Sequence, residues 1–242
     1  ILADGYGKVS ATQKFDGSLV TQIDRAADDY FNVQIAARFP DHAILSEERN
    51  TVYDPSIEFT WVVDPLDGTT NFLHSNPMFA VSIGLEREGQ LVAGVIYNPA
   101  SDQLFTAEKG KGAYMNDRRL RVAARKTLGD ALLTTGIPHR GREGHPRFLN
   151  EMEVLMREVA GIRRTGAAAL DLAYIAAGRF DGYWERNLKP WDMAAGIVIV
   201  REAGGIVTSL DGSDKMLESG DVIAANIQMH KALMPFVSDA PA

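Results

Sequence analysis

Apolar residues recur at helical spacing after Thr21, at Ile23, Ala26, Ala27, Tyr30 and Phe31, and Thr21 and Asp24 stand three apart at the head of that run. The pattern predicts a helix opened by a capping box and closed before Pro40, with Asp24 in its first turn. Short β-type runs follow at residues 42–46, 59–64, 79–85, 91–98 and 103–108. They are separated by turn chemistry such as Arg87-Glu88-Gly89-Gln90 and Lys109-Gly110-Lys111-Gly112, so the middle of the chain is expected to be a largely antiparallel sheet. Beyond Leu128 strands alternate with helices: a strand at 131–135, a helix at 146–159, a strand at 162–165, a helix at 168–177 and a strand at 182–184. Asp192 then opens an apolar helix to Ala203, stopped by Gly204-Gly205, before strands at 206–209 and 222–225 and a last helix after Asn226. The whole reads as an α+β protein, a layered α/β/α/β arrangement in two interlocked lobes, residues 1–127 and 128–242.

Composition adds exclusions. With 242 residues and 45% hydrophobic content the chain can bury a full core. The absence of cysteine removes disulfides, thiolate metal sites and a cysteine nucleophile. A net charge of −7 argues against a surface built mainly for nucleic acid. A cation-loaded acidic pocket would still attract phosphate, because bound cations reverse the local field. The longest apolar stretch, 193–200, is far too short to span a bilayer, and a cytoplasmic location is the default expectation. The start at Ile1, without a methionine, leaves room for a preceding segment. The five histidines show no metal-ligand spacing and read as surface or loop residues.

The richest chemistry lies in Trp61-Val62-Val63-Asp64-Pro65-Leu66-Asp67-Gly68-Thr69-Thr70-Asn71-Phe72, where an apolar strand delivers two carboxylates, a glycine and two hydroxyls onto one turn. Asp64 is expected to end the strand, Pro65 to stiffen the turn, and Gly68 to let backbone approach an anion. Hard oxygen ligands so presented suit Mg2+, which keeps waters and takes phosphate oxygens. The same Asp-Pro-x-Asp-Gly run also reads as an ordinary surface turn. Glu47 follows an apolar strand and Asp192 opens an apolar helix. Equally, Glu47-Glu48 can be a solvated pair and Asp192 a helix cap.

The segment 61–72, taken with Leu188-Lys189-Pro190-Trp191-Asp192-Met193-Ala194-Ala195-Gly196, resembles the paired signature of the inositol monophosphatase family. Arg163-Arg164-Thr165-Gly166-Ala167-Ala168-Ala169-Leu170-Asp171-Leu172 is similar to that family's substrate-side loop and helix, and Ser46-Glu47-Glu48 to its upstream glutamate motif. The resemblance extends over nearly the whole chain and implies the layered sandwich of the sugar-phosphatase type. It implies that Glu47, Asp64, Asp67 and Asp192, with the Leu66 carbonyl, hold two or three Mg2+ ions. Thr69, paired with Asp24, and Glu47 would be catalytic, positioning or deprotonating the attacking water. Substrate contacts would come from Asp67, Gly68 and Thr69 at the phosphate, and from Gly166, Ala167, Ala168, Glu185 and Asp192 around the alcohol. Two departures stand out: Ser18 occupies a position that in the family is usually acidic or polar and bears on a third metal, and Ala167 stands where relatives often carry Ser or Thr.

What the resemblance implies is hydrolysis of a small phosphorylated polyol, foremost myo-inositol 1-phosphate, by direct attack of metal-activated water, with lithium sensitivity and a homodimer. Histidinol phosphate is the alternative substrate, since the pocket rim decides it. A reading from another class is an interaction module for the transcription machinery, as in some bacterial relatives, with Arg163, Arg164 and Arg140-Gly141-Arg142 as its surface. Short basic runs are usually solvated faces, which weighs against it.

Overall fold

A computed structural model describes residues 1–8, 10–13, 19–49, 52–139 and 142–238. Ser18 and the pair Arg140-Gly141 lie outside the described residues. The chain opens with a short helix α1 (Leu2–Gly5) and a two-stranded ribbon of β1 (Ala11–Gln13) and β2 (Leu19–Thr21). Helix α2 (Gln22–Arg38) begins where Thr21 and Asp24 predict it. The Thr21 hydroxyl accepts from the Ile23 N–H, and the Asp24 carboxylate accepts from the Thr21 N–H at 2.9 Å, satisfying backbone donors that a bare helix start would orphan.

Strands β3 (Ala43–Ser46) and β4 (Phe59–Asp67) pair in parallel. After a short helix α3 (Thr69–Leu73), β5 (Ala80–Arg87), β6 (Gln90–Asn98), β7 (Gln103–Glu108), β8 (Gly112–Met115) and β9 (Arg118–Arg119) complete a seven-stranded sheet in chain order, antiparallel from β4 onward. The turn at 87–90 and the glycine-bearing turn at 109–112 close the hairpins as their sequences demand.

The second sheet is built from β10 (Leu132–Thr135), then, past helix α4 (His145–Glu158), β11 (Gly161–Arg163), and, past helix α5 (Ala168–Ala176), β12 (Gly182–Glu185). Helix α6 (Pro190–Glu202) leads to β13 (Ile206–Thr208), and helix α7 (Met216–Ser219) to β14 (Val222–Ala225), before the last helix α8 (Ile227–Val237). Its five strands lie in the order β11-β10-β12-β14-β13. The pairs β11/β10 and β10/β12 are parallel and the rest antiparallel.

Helices α5 and α6 fill the space between the sheets. Both are apolar nearly all round, the signature of a helix with no solvent face, and residues 193–200 of α6 are all buried. Strand β12 shows the layering residue by residue: Tyr183 points into the inter-sheet core, while Trp184 points into a second core with Leu155 of α4 and Met229 and Leu233 of α8. The expected α/β/α/β layering is present, with α2 outside the first sheet, and α4 and α8 add an outer layer on the second. Helix α6 lies against the first sheet so closely that a Cβ on Gly94 would stand 2.5 Å from the Ala195 carbonyl oxygen. That close seat fixes the helix whose first turn carries Asp192.

One histidine departs from the surface or loop placement read in the sequence, while His42 keeps its place in the loop before β3. His230 is buried on α8, its Nε2 2.9 Å from the Thr208 hydroxyl. His42 accepts from Trp61 Nε1 at 3.0 Å and stacks on Phe39 and Phe59, so its ring is used for packing. Among the described residues no histidine joins a metal-binding group.

Candidate functional site

Strand β4 does not end at Asp64 but continues through Asp67, and the continuation is irregular. Asp64 stands opposite Ser82 and Asp67 opposite Ala80, so Pro65 and Leu66 together face one residue of β5. In a regular strand two residues three apart point to opposite faces. One extra residue in the register restores them to the same face, and a bulge also tolerates Pro65, which has no N–H to give the ladder. The turn chemistry of Asp-Pro-x-Asp-Gly thus builds the convergence of two carboxylates from within the strand.

Asp192 supplies the third. Pro190 occupies the first turn of α6, and Asp192 accepts from the Lys189 N–H at 2.7 Å. The cap reading and the site reading are both satisfied, because a carboxylate has lone pairs for more than one partner. Ligand oxygens of Asp64, Asp67 and Asp192 all lie within 4.8 Å of one another. Glu47 lines the same cleft, and its charge is felt by Asp64, though it stands outside that tight group.

Burial and mutual repulsion dominate the electrostatics here. Loss of solvent, then the charges of Glu47, Asp67 and Asp192, push the Asp64 carboxyl well above the usual carboxylate range. Asp67 is raised well above it too, by burial and then by Asp192, against one stabilising hydrogen bond from the Ala169 N–H at 2.8 Å. Burial raises Asp192 to about 6. No ion pair from Lys or Arg to these three carboxylates occurs among the described residues. The donor set lacks a cation and is made of hard oxygens, which fits a divalent metal ion.

The cleft above the carboxylates holds about 460 Å³ and also brings in Gly68, Thr69, Gly166, Ala167, Ala168 and Glu185. Gly68 has φ +85°, and a Cβ there would stand 2.8 Å from the Met78 carbonyl oxygen, so only glycine fits. Thr69 Oγ1 lies 3.2 Å from Asp24 Oδ1 and 3.1 Å from the Leu66 carbonyl oxygen. Asp24 is nearly fully buried; desolvation raises its carboxyl, and the bonds from Thr21 partly offset this. Glu185, also raised by burial, accepts from the Tyr183 hydroxyl at 2.7 Å.

Every residue placed at the site by sequence lies in the cleft except Asp24, which stands one hydrogen bond behind it. Several supporting residues were not found by sequence reasoning. Asn71 Nδ2 donates to the carbonyls of Met78 and, across the two sheets, Thr165, tying the loop after Asp67 to the loop at 165–168. Asp171, buried on α5, accepts from Thr134 Oγ1 at 2.6 Å and Thr165 Oγ1 at 2.7 Å, and burial raises its carboxyl to about 8. Its signal was present: one Asp in a helix otherwise apolar must find partners. Arg142 and Arg164 also line the cleft, where the sequence suggested an outer basic surface.

A family model described as the inositol monophosphatase family matches residues 2–241. An inositol-1-monophosphatase of Mesorhizobium japonicum is 52% identical over 98% of this chain and 90% of its own length. A protein named Nus factor SuhB in Pseudomonas aeruginosa is 45% identical over 93% of this chain and 85% of its own length. The crystal structure of the extragenic suppressor protein suhB from Bartonella henselae superposes with a TM-score of 0.93 at 47% identity, covering 99% of this chain and 93% of that one. Whole-length similarity and the clustered carboxylates agree: the chain belongs to the inositol monophosphatase family and is a metal-dependent phosphoric monoester hydrolase.

Proposed function

We propose that this protein hydrolyses myo-inositol 1-phosphate to inositol and phosphate, with Mg2+ as its metal. The observation that carries the reading is the convergence of Asp64, Asp67 and Asp192 within 4.8 Å on the floor of a single polyol-sized cleft. In this reading Glu47, Asp64, Asp67, Asp192 and the Leu66 carbonyl hold two or three ions. When bound, such ions would lower the pKa of water and offset phosphoryl charge, which phosphate monoester hydrolysis, among the slowest of reactions, requires.

The remaining work falls to the chain's own groups. Thr69 has one hydroxyl proton and two acceptors within reach, Asp24 Oδ1 and the Leu66 carbonyl, so it serves one at a time. With that proton directed at Asp24, the Thr69 oxygen presents lone pairs to an attacking water. It can then take the water's proton as Asp24 accepts its own. Burial makes Asp24 a stronger base for that role. In this reading Gly68 and Thr69, which line the cleft beside the carboxylates, contact the phosphate together with Asp67. Gly166, Ala167 and Ala168 border the alcohol part in the same reading, and Glu185, one of whose oxygens accepts from the Tyr183 hydroxyl, would use the other for substrate hydroxyls.

The substrate is tested by phosphate release from myo-inositol 1-phosphate, histidinol phosphate, fructose 1,6-bisphosphate and phosphoadenosine phosphate at equal concentration with Mg2+. The reading requires the highest kcat/KM on myo-inositol 1-phosphate; a clear preference for histidinol phosphate would replace it. The relatives named Nus factor SuhB support a second role in binding transcription machinery. A pull-down partner retained by a variant lacking the carboxylates would establish that role separately.

The raised carboxyls set a pH dependence for the metal. Without metal, Asp64, Asp67 and Asp192 hold protons to higher pH than free carboxylates, with Asp192 at about 6. Mg2+ must displace those protons, so its affinity rises with pH and levels off once the groups are ionised. We expect the Kd for Mg2+ to fall between pH 5.5 and 7.5 by up to about tenfold per pH unit for each proton displaced. Isothermal titration in buffers of different ionisation enthalpy would register the released protons, and a pH-independent Kd would refute the coupling.

A further inference from the structure

We infer that Glu151, which lies outside the cleft, is a positioning residue for Glu185: its buried carboxylate grips Trp184 and Arg186, the two chain neighbours of Glu185, and so aims Glu185 at the alcohol part of the substrate. The inference rests on the reading of Glu185 as a substrate contact.

Glu151 sits on α4 and is 4% exposed. Its Oε2 accepts from Trp184 Nε1 at 3.2 Å and from Arg186 Nη1 at 2.9 Å. Its Oε1 lies 2.9 Å from Arg186 Nη2 and accepts from Arg147 Nε at 3.2 Å. The arginine is thus held at both terminal nitrogens, the geometry with the greatest directional constraint. Arg186 Nη2 also donates to the Val237 carbonyl at 2.6 Å, which fastens the clamp to the end of α8.

Side chains alternate along β12, so the Trp184 ring packs in the core beside α4 while Glu185 turns the other way into the cleft; Arg186, just past the strand end, is drawn back to Glu151, and both neighbours also border the cleft wall. Fixing residues 184 and 186 from behind leaves the backbone of 185 little freedom to rotate. The Thr135 hydroxyl adds to this by donating to the Trp184 carbonyl at 2.7 Å. On the cleft side Arg142 and Arg164 act on Glu185 by charge alone; the only protein hydrogen-bond donor to it among the described residues is Tyr183, next but one in the same strand. A charge attraction without a hydrogen bond sets little direction, so the aim of Glu185 comes chiefly from the strand that carries it. A plain stability role would explain why Glu151 and Arg186 pair, but not why the clamp takes both neighbours of one cleft residue.

The test uses the full chain with saturating Mg2+ and two substrates, myo-inositol 1-phosphate and 4-nitrophenyl phosphate, which has no ring hydroxyls. Glu151→Gln should raise KM for the inositol ester about tenfold, leave its kcat within about twofold, and leave 4-nitrophenyl phosphate within about twofold, because a misaimed contact costs alignment of the alcohol alone. In a Glu185→Gln background the same change should raise KM no further, since the two residues act through one contact. Equal losses on both substrates, or KM effects that multiply in the double variant, would overturn the inference and leave Glu151 a stability residue. If Glu185→Gln alone leaves KM for the inositol ester unchanged, the underlying substrate contact is wrong and the inference falls with it, while the metal chemistry stands. Arg186→Lys, which keeps the charge but loses the two-pronged grip, runs the same cycle should Glu151→Gln fold poorly.

Discussion

Asp67→Asn is expected to lower kcat on any phosphomonoester by at least about 10³-fold, some 4 kcal/mol of transition-state stabilisation, while leaving the fold intact. The substitution keeps size and shape, and the amide oxygen can still accept the Ala169 N–H that now binds Asp67. What it removes is one negative charge from a cluster of three carboxylates, two of them buried and Asp192 half-buried. In the metal-free protein that cluster is repulsive, so the variant should melt at a temperature equal to or above wild type. Loss of activity together with unchanged or improved stability is the mark of a group kept for function at the expense of stability. Wild-type turnover in Asp67→Asn would remove this carboxylate from the site, and a variant that fails to fold would mean its role is structural. Circular dichroism melting beside a phosphate-release assay separates these outcomes.

Asp24→Asn should lower kcat by about 10² to 10³ with little change in KM, the range expected when a group that accepts a proton is replaced by one that cannot. The amide can still accept the Thr21 N–H at the head of α2, so helix capping is largely kept. It can also hold the Thr69 hydroxyl in place, which makes this a test of proton acceptance rather than of geometry. Thr69→Val, which keeps shape and loses the hydroxyl, should produce a similar loss, and the double variant little more than either alone, because the two groups serve one proton. A multiplicative loss would place Asp24 and Thr69 on separate tasks. A loss confined to KM would make Asp24 a binding group.

The parts of this account legible in the sequence are those fixed by local chemistry. Thr21 and Asp24 announce the start of α2 because both halves of a capping box lie within four residues. The apolar run 193–200 announces a helix without a solvent face. Asp64 and Asp67 stand out because no core needs two carboxylates at the end of an apolar strand. Local chemistry gave no view of the bulge at Pro65-Leu66. Whether β4 stops at Asp64 or resumes depends on its pairing with β5, and that pairing decides which face Asp67 takes. The β8 and β9 strands, a few residues each, carry too little pattern to be seen without their neighbours. Glu47 and Glu185 were reached through family resemblance; nothing nearby in sequence distinguishes either from a surface acid. Glu151 lies deeper still, looking like one of several charges along α4 until Trp184 and Arg186 are brought against it from a strand over thirty residues away.

The central claim, that the clustered carboxylates serve metal-dependent hydrolysis of an inositol monophosphate, is tested most directly by phosphate release from myo-inositol 1-phosphate as Mg2+ is titrated into the metal-free wild-type chain. The account predicts no turnover in EDTA, a saturable rise with Mg2+, and loss again on renewed chelation. Phosphate release undiminished in EDTA would contradict it.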